Sequence, residues 1–411
     1  MRTAKLKDIT LTITDGKHGD CKNHDGSGYY FISCKDVYDE TIHYENARQI
    51  TEDDFRDADR RTNLAAYDIL ITNSGTIGRM ALVKDIPETR KTTFQKSVAI
   101  VRADTSQVVP NYLYYLLKSK VHDFINSSNG SAQKNLLLST MRDFDISFVD
   151  SFETQHRIAN ILSRYDSLIE NYQKQIKLLE EAAQRLYKEW FIDLRFPGHE
   201  NTKIVDGVPE GWGKKKLSEL FSFVRGKSYT SKELSDEGTI MVNLKNIQSF
   251  GGYKSDVEKH FIGTFKEEQT LMKGDLIMGV TDMTQERRLV GSVALIPDFK
   301  ETATFSMDLI KLISFKLPNI YLYCAMRYGD VSRQIAPLAN GVNVLHLKPE
   351  AISNIEMVVA SDSIIEKFVS YTSKTIESIL SLQSQLRLLT EARDRLLPKM
   401  MSGEIKIESL N

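Results

Sequence analysis

The chain of 411 residues carries the stretch YDILITNSGTIGRMALV at Tyr67–Val83 and a longer version of it, KGDLIMGVTDMTQERRLVGSVALI, at Lys273–Ile296. Asp68 in the first stretch corresponds to Asp275 in the second, 207 positions later. In both stretches an apolar run enters a polar loop and a second apolar run leaves it, which is typical of two strands joined by a loop. The match therefore indicates a repeat of roughly 200 residues.

Further matches occur in the same order along the chain, at similar separations. They are Tyr29–Val37 with Thr239–Ile247, Asn111–Ser119 with Asn319–Arg327, and Asn129-Gly130 with Asn340-Gly341. All separations lie between 207 and 211 positions. Because one short match is weak but an ordered series is strong, the sequence predicts a tandem duplication.

The first part of each repeat is rich in short strand-like runs. These include YYFIS, DILIT and SVAIVRA in the first repeat, and IMVNL, DLIMGV, SVALIP and LIKLISF in the second. Each repeat also has one amphipathic helical pattern, at Tyr112–Phe124 or Ile320–Gln334. Strands bounded by Gly, Asp and Asn turns, with few helices, predict an α+β domain.

The second part of each repeat has the apolar spacing of a coiled-coil seam. The first seam is Leu162, Tyr165, Ile169, Tyr172, Ile176, Leu179, Ala183, Leu186 and Trp190. The second seam is Thr372, Thr375, Ile379, Leu382, Leu386, Leu389, Arg393, Leu396 and Met400. We expect Pro197 to end the first helix, Pro398 to truncate the second, and Ser363 with Glu366 to form a capping box.

Two arrangements of these helices are open. Each helix could pack onto its own domain, as amphipathic helices usually do. The two helices could instead pair with each other. Their equal register and length favour this second arrangement, because an isolated seam of four heptads would otherwise stay exposed.

The composition is that of a globular protein, with 41% hydrophobic and 27% charged residues. Basic and acidic side chains number 54 and 55, so a DNA-binding role would need local basic patches or charge from partner subunits. Three cysteines without a CxxC pair indicate a reducing compartment. No run resembles a signal peptide or a membrane span, and we expect a cytoplasmic protein without membrane contact.

No catalytic motif was found in the sequence. Gly26-Ser27-Gly28 is followed by Tyr29 rather than by the spacing of a dinucleotide loop. Gly226-Lys227-Ser228 resembles the end of a P-loop, but Phe221 occupies the position of its first glycine. There is no HExxH zinc motif and no tetrapeptide core of an amino-methyltransferase. The sequence therefore predicts a chain that catalyses nothing.

One cluster has spacing that could suit a metal ion. His18, Cys21 and His24 lie within seven residues, with Cys34 as the nearest candidate for a fourth ligand. Glycine and lysine crowd this segment, which is more typical of a polar surface loop. We expect no metal site here.

Several stretches are typical of one protein family, besides the duplication itself. They are Gly274–Ile277 with Asp68–Ile71, NSGTIG at residues 73–78, the helical segment Ser151–Gly198, and LTEARDRLLPKMMSGEI at Leu389–Ile405. In these features the chain resembles the DNA specificity subunit of Type I restriction-modification systems. The resemblance covers almost the whole chain, and the helical segments are its most specific part.

The resemblance implies an α+β fold, with two tandem-duplicated α/β target recognition domains separated by two long antiparallel coiled-coil helices. The boundaries that it implies are residues 1–150 for the first recognition domain, 151–197 for the central helical spacer, 198–358 for the second recognition domain and 359–411 for the distal helical spacer. Each recognition domain would read one half of a bipartite, asymmetric sequence in double-stranded DNA.

The resemblance also implies partners. Two modification (methyltransferase) subunits and the restriction (motor-nuclease) subunits would assemble on this chain. S-adenosylmethionine, ATP and magnesium are expected on those partners, and no cofactor or metal is expected on this chain. The chain would thus supply specificity and a scaffold without catalysis.

Base edges are read by Arg, Lys, Asn, Gln, Ser or Thr side chains presented on loops. The candidates in the first repeat are Thr72, Asn73, Ser74, Thr76, Arg79, Ser131, Gln133, Lys134 and Asn135. The candidates in the second repeat are Thr281, Asp282, Thr284, Gln285, Arg287, Arg288, Asn340, Asn343 and His346. Secondary candidates, for phosphate contact, are Lys17, His18, Lys22, Asn23, Arg225, Lys227 and Tyr229. The same residue types are also ordinary turn residues, so each candidate is a hypothesis.

Two other classes of function are alternatives. A fused restriction and methylation enzyme would bind S-adenosylmethionine by itself. A structural adaptor would bridge proteins without touching DNA, and a DNA footprint obtained with the modification subunits would exclude it.

Overall fold

A computed structural model describes residues 1–127, 135–255 and 258–405. The chain divides into two compact units. Unit 1 comprises Met1–Asp166 with Ala392–Asn411, and unit 2 comprises Ser167–Glu391. The functional boundaries at residues 150, 197 and 358 are not tested by this division and stay predictions.

The secondary structure alternates short strands with a few helices. The strands are β1 Arg2–Lys5, β2 Thr10–Asp15, β3 Tyr30–Ile32, β4 Val37–Tyr38, β5 Thr41–Ile42, β6 Ile69–Thr72, β7 Met80–Leu82, β8 Thr92–Phe94, β9 Val98–Ala103, β10 Asp145–Phe148, β11 Ile204–Val205, β12 Val208–Pro209, β13 Gly213–Lys216, β14 Phe221–Arg225, β15 Leu234–Ser235, β16 Thr239–Val242, β17 Lys259–Phe261, β18 Leu276–Gly279, β19 Thr281–Asp282, β20 Val293–Leu295, β21 Ala303–Phe305, β22 Leu309–Ser314, β23 Leu345–His346 and β24 Glu356–Val359. The helices are α1 Glu52–Thr62, α2 Pro110–Ser119, α3 Val121–Asn126, α4 Leu138–Arg142, α5 Phe152–Tyr187, α6 Leu217–Leu220, α7 Asn319–Tyr328, α8 Val331–Ile335 and α9 Asp362–Ser402.

The two units contain four-stranded antiparallel sheets of the same order. In unit 1 the order is β2-β9-β6-β7, and in unit 2 it is β14-β22-β18-β20. Each strand of one sheet corresponds to the strand in the same place of the other. This identity of strand order confirms the tandem duplication, and it supplies the topology that the sequence did not predict.

Two further strand pairings are repeated as well, and one of them lies within the second four-stranded sheet of unit 2, β15-β17-β16-β21. The parallel pair β3–β8 in unit 1 corresponds to the parallel pair β16–β21 in unit 2. The antiparallel pair β1–β10 corresponds to β13–β24. In each unit, this last pair joins the beginning of the repeat to the strand that precedes its long helix. Each repeat is thus closed on itself before its long helix starts.

A glycine at the same place in each repeat permits a close backbone approach. A Cβ atom at Gly16 would lie 1.9 Å from the carbonyl oxygen of Phe94, and one at Gly226 would lie 2.0 Å from that of Ser306. No side chain fits at either distance. Gly226, the glycine that resembled part of a P-loop, is therefore explained by packing.

The matching aspartates of the two repeats have the same local role. Asp68, which is 2% exposed, accepts hydrogen bonds from the backbone N–H of Ala65 and from Arg102 of β9. Asp275 accepts from the backbone N–H of Met272 and lies 3.7 Å from the Nζ of Lys311 in β22. Both carboxylates hold the turn before a central strand and pair with a cation on the neighbouring strand.

One helix of unit 1 was not predicted from the sequence. In α1, Thr51 caps the N-terminus by accepting a hydrogen bond from Asp54 N–H, and Asn63 ends the helix in the left-handed conformation. The expected single helix Tyr112–Phe124 is also divided into α2 and α3 at Lys120, and Ile320–Gln334 is divided into α7 and α8. The expectation of one helix per recognition domain is therefore wrong.

The long helices α5 and α9 are antiparallel. In unit 1, Asp166 of α5 lies 2.9 Å from Arg393 in the late part of α9. In unit 2, Trp190, in the π-helical turn that follows α5, stacks edge-on against Phe368 in the early part of α9. Every residue of both predicted seams is buried or partly buried. The predicted pairing of the two helices, and the predicted fold class, are confirmed.

Two details of α9 differ from the expectation. The helix continues through Pro398 to Ser402. Pro398 lies in the last turns, where its missing N–H removes one hydrogen bond, and the buried Met400 and Met401 stabilise the continuation by packing. The helix also begins at Asp362, so Ser363 lies inside its first turn and is not the capping residue.

Candidate nucleic-acid interface

In unit 1, the two candidate loops are adjacent. The first loop follows β6, and the second leads to α4. Ser74 of the first loop pairs with Asn135 of the second in an isolated antiparallel bridge. Leu136 N–H donates to the carbonyl oxygen of Asn73 at 2.8 Å. The fold thus brings together two segments that are 61 residues apart in sequence.

Unit 2 has the same arrangement at equivalent positions. Thr281 pairs with His346 in the two-stranded β19–β23 ladder, and Leu347 N–H donates to the carbonyl oxygen of Val280 at 2.8 Å. These residues correspond to Ser74, Asn135, Leu136 and Asn73 respectively. A backbone connection that recurs in both repeats indicates that this end of the sheet presents both loops as one surface.

Four of the candidate residues have side chains that are buried inside the loops. Thr72 and Asn73 in unit 1, and Thr281 and Asp282 in unit 2, are between 0% and 7% exposed. The hydroxyl of Thr72 donates to the carbonyl of Thr76 and accepts from the N–H of Arg79, which closes the loop. A side chain that is buried and hydrogen-bonded in this way holds the loop in shape. The internal hydrogen bonds of Thr72 and Asp282 give these two side chains a structural role in place of the expected base contact, whereas base contact by Asn73 and Thr281 stays a prediction.

Asp282 closes the longer loop of unit 2. Its Oδ1 accepts hydrogen bonds from the N–H and the hydroxyl of Thr284, at 2.8 and 2.9 Å, and its Oδ2 accepts from the N–H of Leu289 at 2.8 Å. One buried carboxylate thus ties both ends of the segment between them. This segment carries the predicted readers Gln285, Arg287 and Arg288.

The remaining readers of unit 1 are accessible. Thr76, Arg79 and Asn135 are exposed, and Ser74 is partly exposed. Arg79 Nη1 donates to the carbonyl oxygen of Cys34 at 3.4 Å, which steadies its exposed guanidinium. Three further candidates, Ser131, Gln133 and Lys134, lie outside the described residues.

The remaining readers of unit 2 are accessible to different degrees. Thr284, Gln285, Arg288, Asn340, Asn343 and His346 are exposed, and Arg287 is partly exposed. Arg287 has a φ of 53°, and its Nε is buried without a hydrogen-bond partner among the described residues. Arg288 pairs with Glu286 at 2.6 Å. The charge of Arg288 is thus partly balanced within its own loop.

The secondary candidates for phosphate contact are partly occupied by acidic neighbours. Lys17 lies 3.1 Å from Asp57, and this hydrogen bond raises the pKa of Lys17. Arg225 lies 2.6 Å from Glu350. Lys22, through its backbone N–H, donates to Asp54. Asp57 and Glu350 thus reduce the positive charge that Lys17 and Arg225 could offer to phosphates, whereas the hydrogen bond of Lys22 involves only its backbone.

A buried ion pair connects the recognition part of unit 2 to its long helix, and sequence reasoning did not identify it. Arg327, at the end of α7, donates from Nη1 and Nη2 to the two carboxylate oxygens of Glu180 in α5, at 2.8 and 2.9 Å. In unit 1, Lys118 at the end of α2 pairs with Glu40, which also pairs with Arg393 of α9. The sequence shows only that basic residues, Lys118 and Arg327, lie 209 positions apart at matching places, and it does not identify their acidic partners.

The described residues contain neither a membrane-spanning helix nor a cluster of metal ligands. No helix there is both long and apolar enough to cross a membrane. No group of three or more His, Cys, Asp or Glu side chains there is placed to hold a metal ion. In the segment that contains His18 and Cys21, the ring of His18 bonds Asp15, and Cys21 is buried.

Comparisons with known proteins agree with the fold. Residues 3–181 match the family model described as the Type I restriction modification DNA specificity domain. Over this segment, which is a little less than half of the chain, the sequence is similar to that family. The curated relatives are named specificity subunits, which supports the interpretation from the sequence that this chain is a non-catalytic specificity subunit.

The similarity to individual relatives extends over most of the chain. The Type I restriction enzyme MjaIX specificity subunit of Methanocaldococcus jannaschii is 29% identical over 401 residues, which cover 95% of this chain and 89% of that protein. The Type I restriction enzyme HindI specificity subunit of Haemophilus influenzae is 22% identical over 383 residues, covering 74% and 80% of the two chains. The crystal structure of the Type-I restriction-modification system S subunit from M. genitalium is similar, with a TM-score of 0.58 and 17% identity. That alignment covers 97% of this chain and 96% of that one, and it supports the fold.

Proposed function

We propose that this specificity subunit reads a bipartite, asymmetric target in double-stranded DNA, one half-site with each unit. In unit 1 the reading surface comprises the loop at residues 73–79 and the segment that begins at Asn135. In unit 2 it comprises the loop at residues 283–288 and the segment 340–346. The two surfaces carry different side chains, which is what two different half-sites require.

The observation that carries this proposal is the repeated connection between the loops. The Ser74·Asn135 bridge and the Thr281·His346 pair lie at equivalent positions of the two repeats. In each unit this connection leaves polar side chains exposed on loops whose ends are fixed. Fixed loops suit base recognition, because a preorganised donor or acceptor loses less entropy on binding.

The side chains on these loops have the chemistry of base readers. Arginine donates two hydrogen bonds to guanine, and asparagine or glutamine pairs with adenine. Arg79 and Asn135 in unit 1, and Gln285, Arg288 and Asn343 in unit 2, are exposed and of these types. The chain is nearly neutral, so partner subunits would supply much of the charge that neutralises DNA phosphates.

The proposal includes an assembly. Two modification subunits, which carry S-adenosylmethionine, and the restriction subunits, which use ATP and magnesium, would dock on this chain in the cytoplasm. The specificity subunit would hold no cofactor and would determine where the partners act.

The test is to sequence the methylome of cells that contain the modification subunits, with and without this gene. A bipartite methylated motif should appear only with the gene. Replacing Thr76 and Arg79 by Ala should then relax or abolish one half-site and leave the sequence preference of the other. Lys7→Ala, which removes an exposed lysine outside the candidate loops, is the matched control. A motif that persists without the gene would refute the proposal.

A further inference from the structure

Three large apolar side chains are exposed on the loops around the reading surface of unit 2. Phe250 is 68% exposed, Met283 is 75% exposed and Val342 is 88% exposed. Single exposed apolar residues are ordinary on protein surfaces. These three differ because they lie on three separate segments that are bonded to one another.

Specific hydrogen bonds connect the three segments. The backbone N–H of Phe250 donates to the carbonyl oxygen of Arg288 at 3.0 Å. The side-chain Nε2 of Gln285 donates to the carbonyl oxygen of Val342 at 2.8 Å. Met283 lies in the same loop as Gln285 and Arg288, directly after the buried Asp282 that closes it. The apolar side chains are therefore distributed among the polar readers.

The turn that carries Phe250 is held in an unusual conformation. Phe250 has a φ of 66°, and Gly251 and Gly252 have φ values of 104° and 106°. A bulky residue with positive φ is uncommon and persists only where its surroundings fix it. Here Gln248 N–H donates to Gly252 O at 2.9 Å, and Gly252 N–H donates to Val293 O at 2.8 Å.

The buried Arg327 supports the same turn. A Cβ atom at Gly251 would lie 2.9 Å from Cγ of Arg327, so the turn lies directly against this side chain. Arg327 is in turn fixed by Glu180 of α5. The turn that carries Phe250 is thus held in place by the buried Arg327. The fold therefore keeps the ring of Phe250 exposed when no partner is bound.

An apolar group among base readers has one main counterpart in duplex DNA. In the major groove, the C5 methyl group of thymine is the apolar feature that distinguishes a base pair, and side chains such as Phe contact it. We propose that Phe250, Met283 and Val342 contact thymine methyl groups in the half-site read by unit 2. This inference rests on the proposed function and adds that the half-site contains thymine.

The test removes the methyl groups without altering the protein. Once methylome sequencing has defined the target, each thymine of the second half-site is replaced by deoxyuridine. The affinity of the assembled complex of specificity and modification subunits is then measured. Loss of one buried methyl contact should weaken binding about fourfold, from ~0.8 kcal/mol per methyl-sized group. Thymines of the other half-site serve as an internal control for effects on the duplex.

Protein variants identify the side chains. Phe250→Ala, Met283→Ala and Val342→Ala should each weaken binding to the natural duplex and abolish the difference between thymine and deoxyuridine at one position. Phe315→Ala is the matched control, because Phe315 is 56% exposed in the same unit but outside these loops. It should preserve the difference at every position.

The outcomes separate this inference from the proposed function. A complex that needs both half-sites but binds thymine and deoxyuridine equally would keep the proposed function and refute methyl contact. A second half-site without thymine would refute it as well, and so would variants that impair assembly with the modification subunits while retaining the thymine preference. A complex that ignores the bipartite sequence would refute both proposals.

Discussion

Arg327 and Glu180 form a two-pronged ion pair in which both side chains are nearly buried, at 10% and 13% exposure. Arg327 belongs to the recognition part of unit 2, and Glu180 lies in the long helix α5. The guanidinium also donates to the hydroxyl of Tyr323 and packs over the rings of Tyr323 and Tyr328. The pair therefore fixes how the recognition part of unit 2 is seated on its own segment of the helix.

Removing one partner of this ion pair should destabilise unit 2 strongly. Glu180→Gln leaves a buried cation without its counter-charge, which costs about 3–5 kcal/mol. Thermal unfolding should show a lower midpoint, and the double variant Glu180→Gln with Arg327→Met should lose less stability than the two single variants together. The exposed pair Arg185–Glu181 is the control, because its removal should cost about 1 kcal/mol or less. Equal losses for both pairs would contradict a role for burial.

The seam between α5 and α9 predicts that substitutions at two positions within one helical turn have different effects on stability. Ile176 is 7% exposed, and its neighbour Leu178 is 55% exposed. Replacing Ile176 and Leu179 by Asp places charge in the apolar interface and should cost more than about 3 kcal/mol. Leu178→Asp should leave the unfolding midpoint almost unchanged. If the seam variant retained normal stability and assembly, the seam would not be the interface.

Asp282 should act as a positioning residue for one half-site only. Asp282→Ala removes the acceptor of three hydrogen bonds, so the loop at residues 283–288 should become less ordered. Discrimination between correct and incorrect bases in the second half-site should therefore fall. Asp282→Asn should restore part of the effect, because its amide oxygen still accepts. The measurement compares binding to duplexes mutated in either half-site. Glu237→Ala, which removes an exposed carboxylate of unit 2 outside this loop, is the control, and an effect on the first half-site would argue against this role.

The two recognition surfaces should be exchangeable. Replacing residues 1–150 by the corresponding segment of a relative should change one half of the methylated motif and leave the other half, since each unit has its own sheet and core. Methylome sequencing reads both halves in one experiment. A chimaera that altered both halves would show that the units do not read independently.

The rate at which cysteine thiols are alkylated should report on DNA binding to unit 1. Burial raises the pKa of Cys324 to about 12, and Cys21 is also buried, so neither should be alkylated in the native protein. Cys34 is partly exposed, and its Sγ lies next to Gly75 in the loop of unit 1. Mass spectrometry after iodoacetamide should therefore find Cys34 modified first. The cognate duplex, bound with the modification subunits, should slow this reaction, whereas a duplex mutated in the first half-site should not.

Patterns spaced at regular intervals could be predicted from the sequence. The matched pairs Asp68 with Asp275 and Asn111–Ser119 with Asn319–Arg327 correspond to equivalent places in two equivalent folds. The seam residues followed from helical periodicity, because a 3-4 spacing leaves only one face to bury. These features depend on local repetition, which a single sequence displays.

Features that depend on distant contacts could not be predicted. Glu180 and Arg327 are 147 residues apart, and only the fold brings them together. Thr72 and Asp282 have side chains suited to base reading, and the same chemistry suits the internal hydrogen bonds that they make instead. Pro398 was expected to stop α9, but the burial of Met400 and Met401 outweighs the local preference. Each case is a competition between local propensity and tertiary packing.

The composition of unit 1 has a consequence for how the protein is made. Its core contains Leu6 and Leu162 together with Leu397, Met400 and Met401. A ribosome synthesises these last residues more than 200 positions after Leu162, when all of unit 2 has already been translated. Domains usually fold in the order in which they emerge. Unit 1 can therefore complete its core only after unit 2 has been synthesised, and we expect the nascent chain to depend on chaperones while this apolar surface stays exposed.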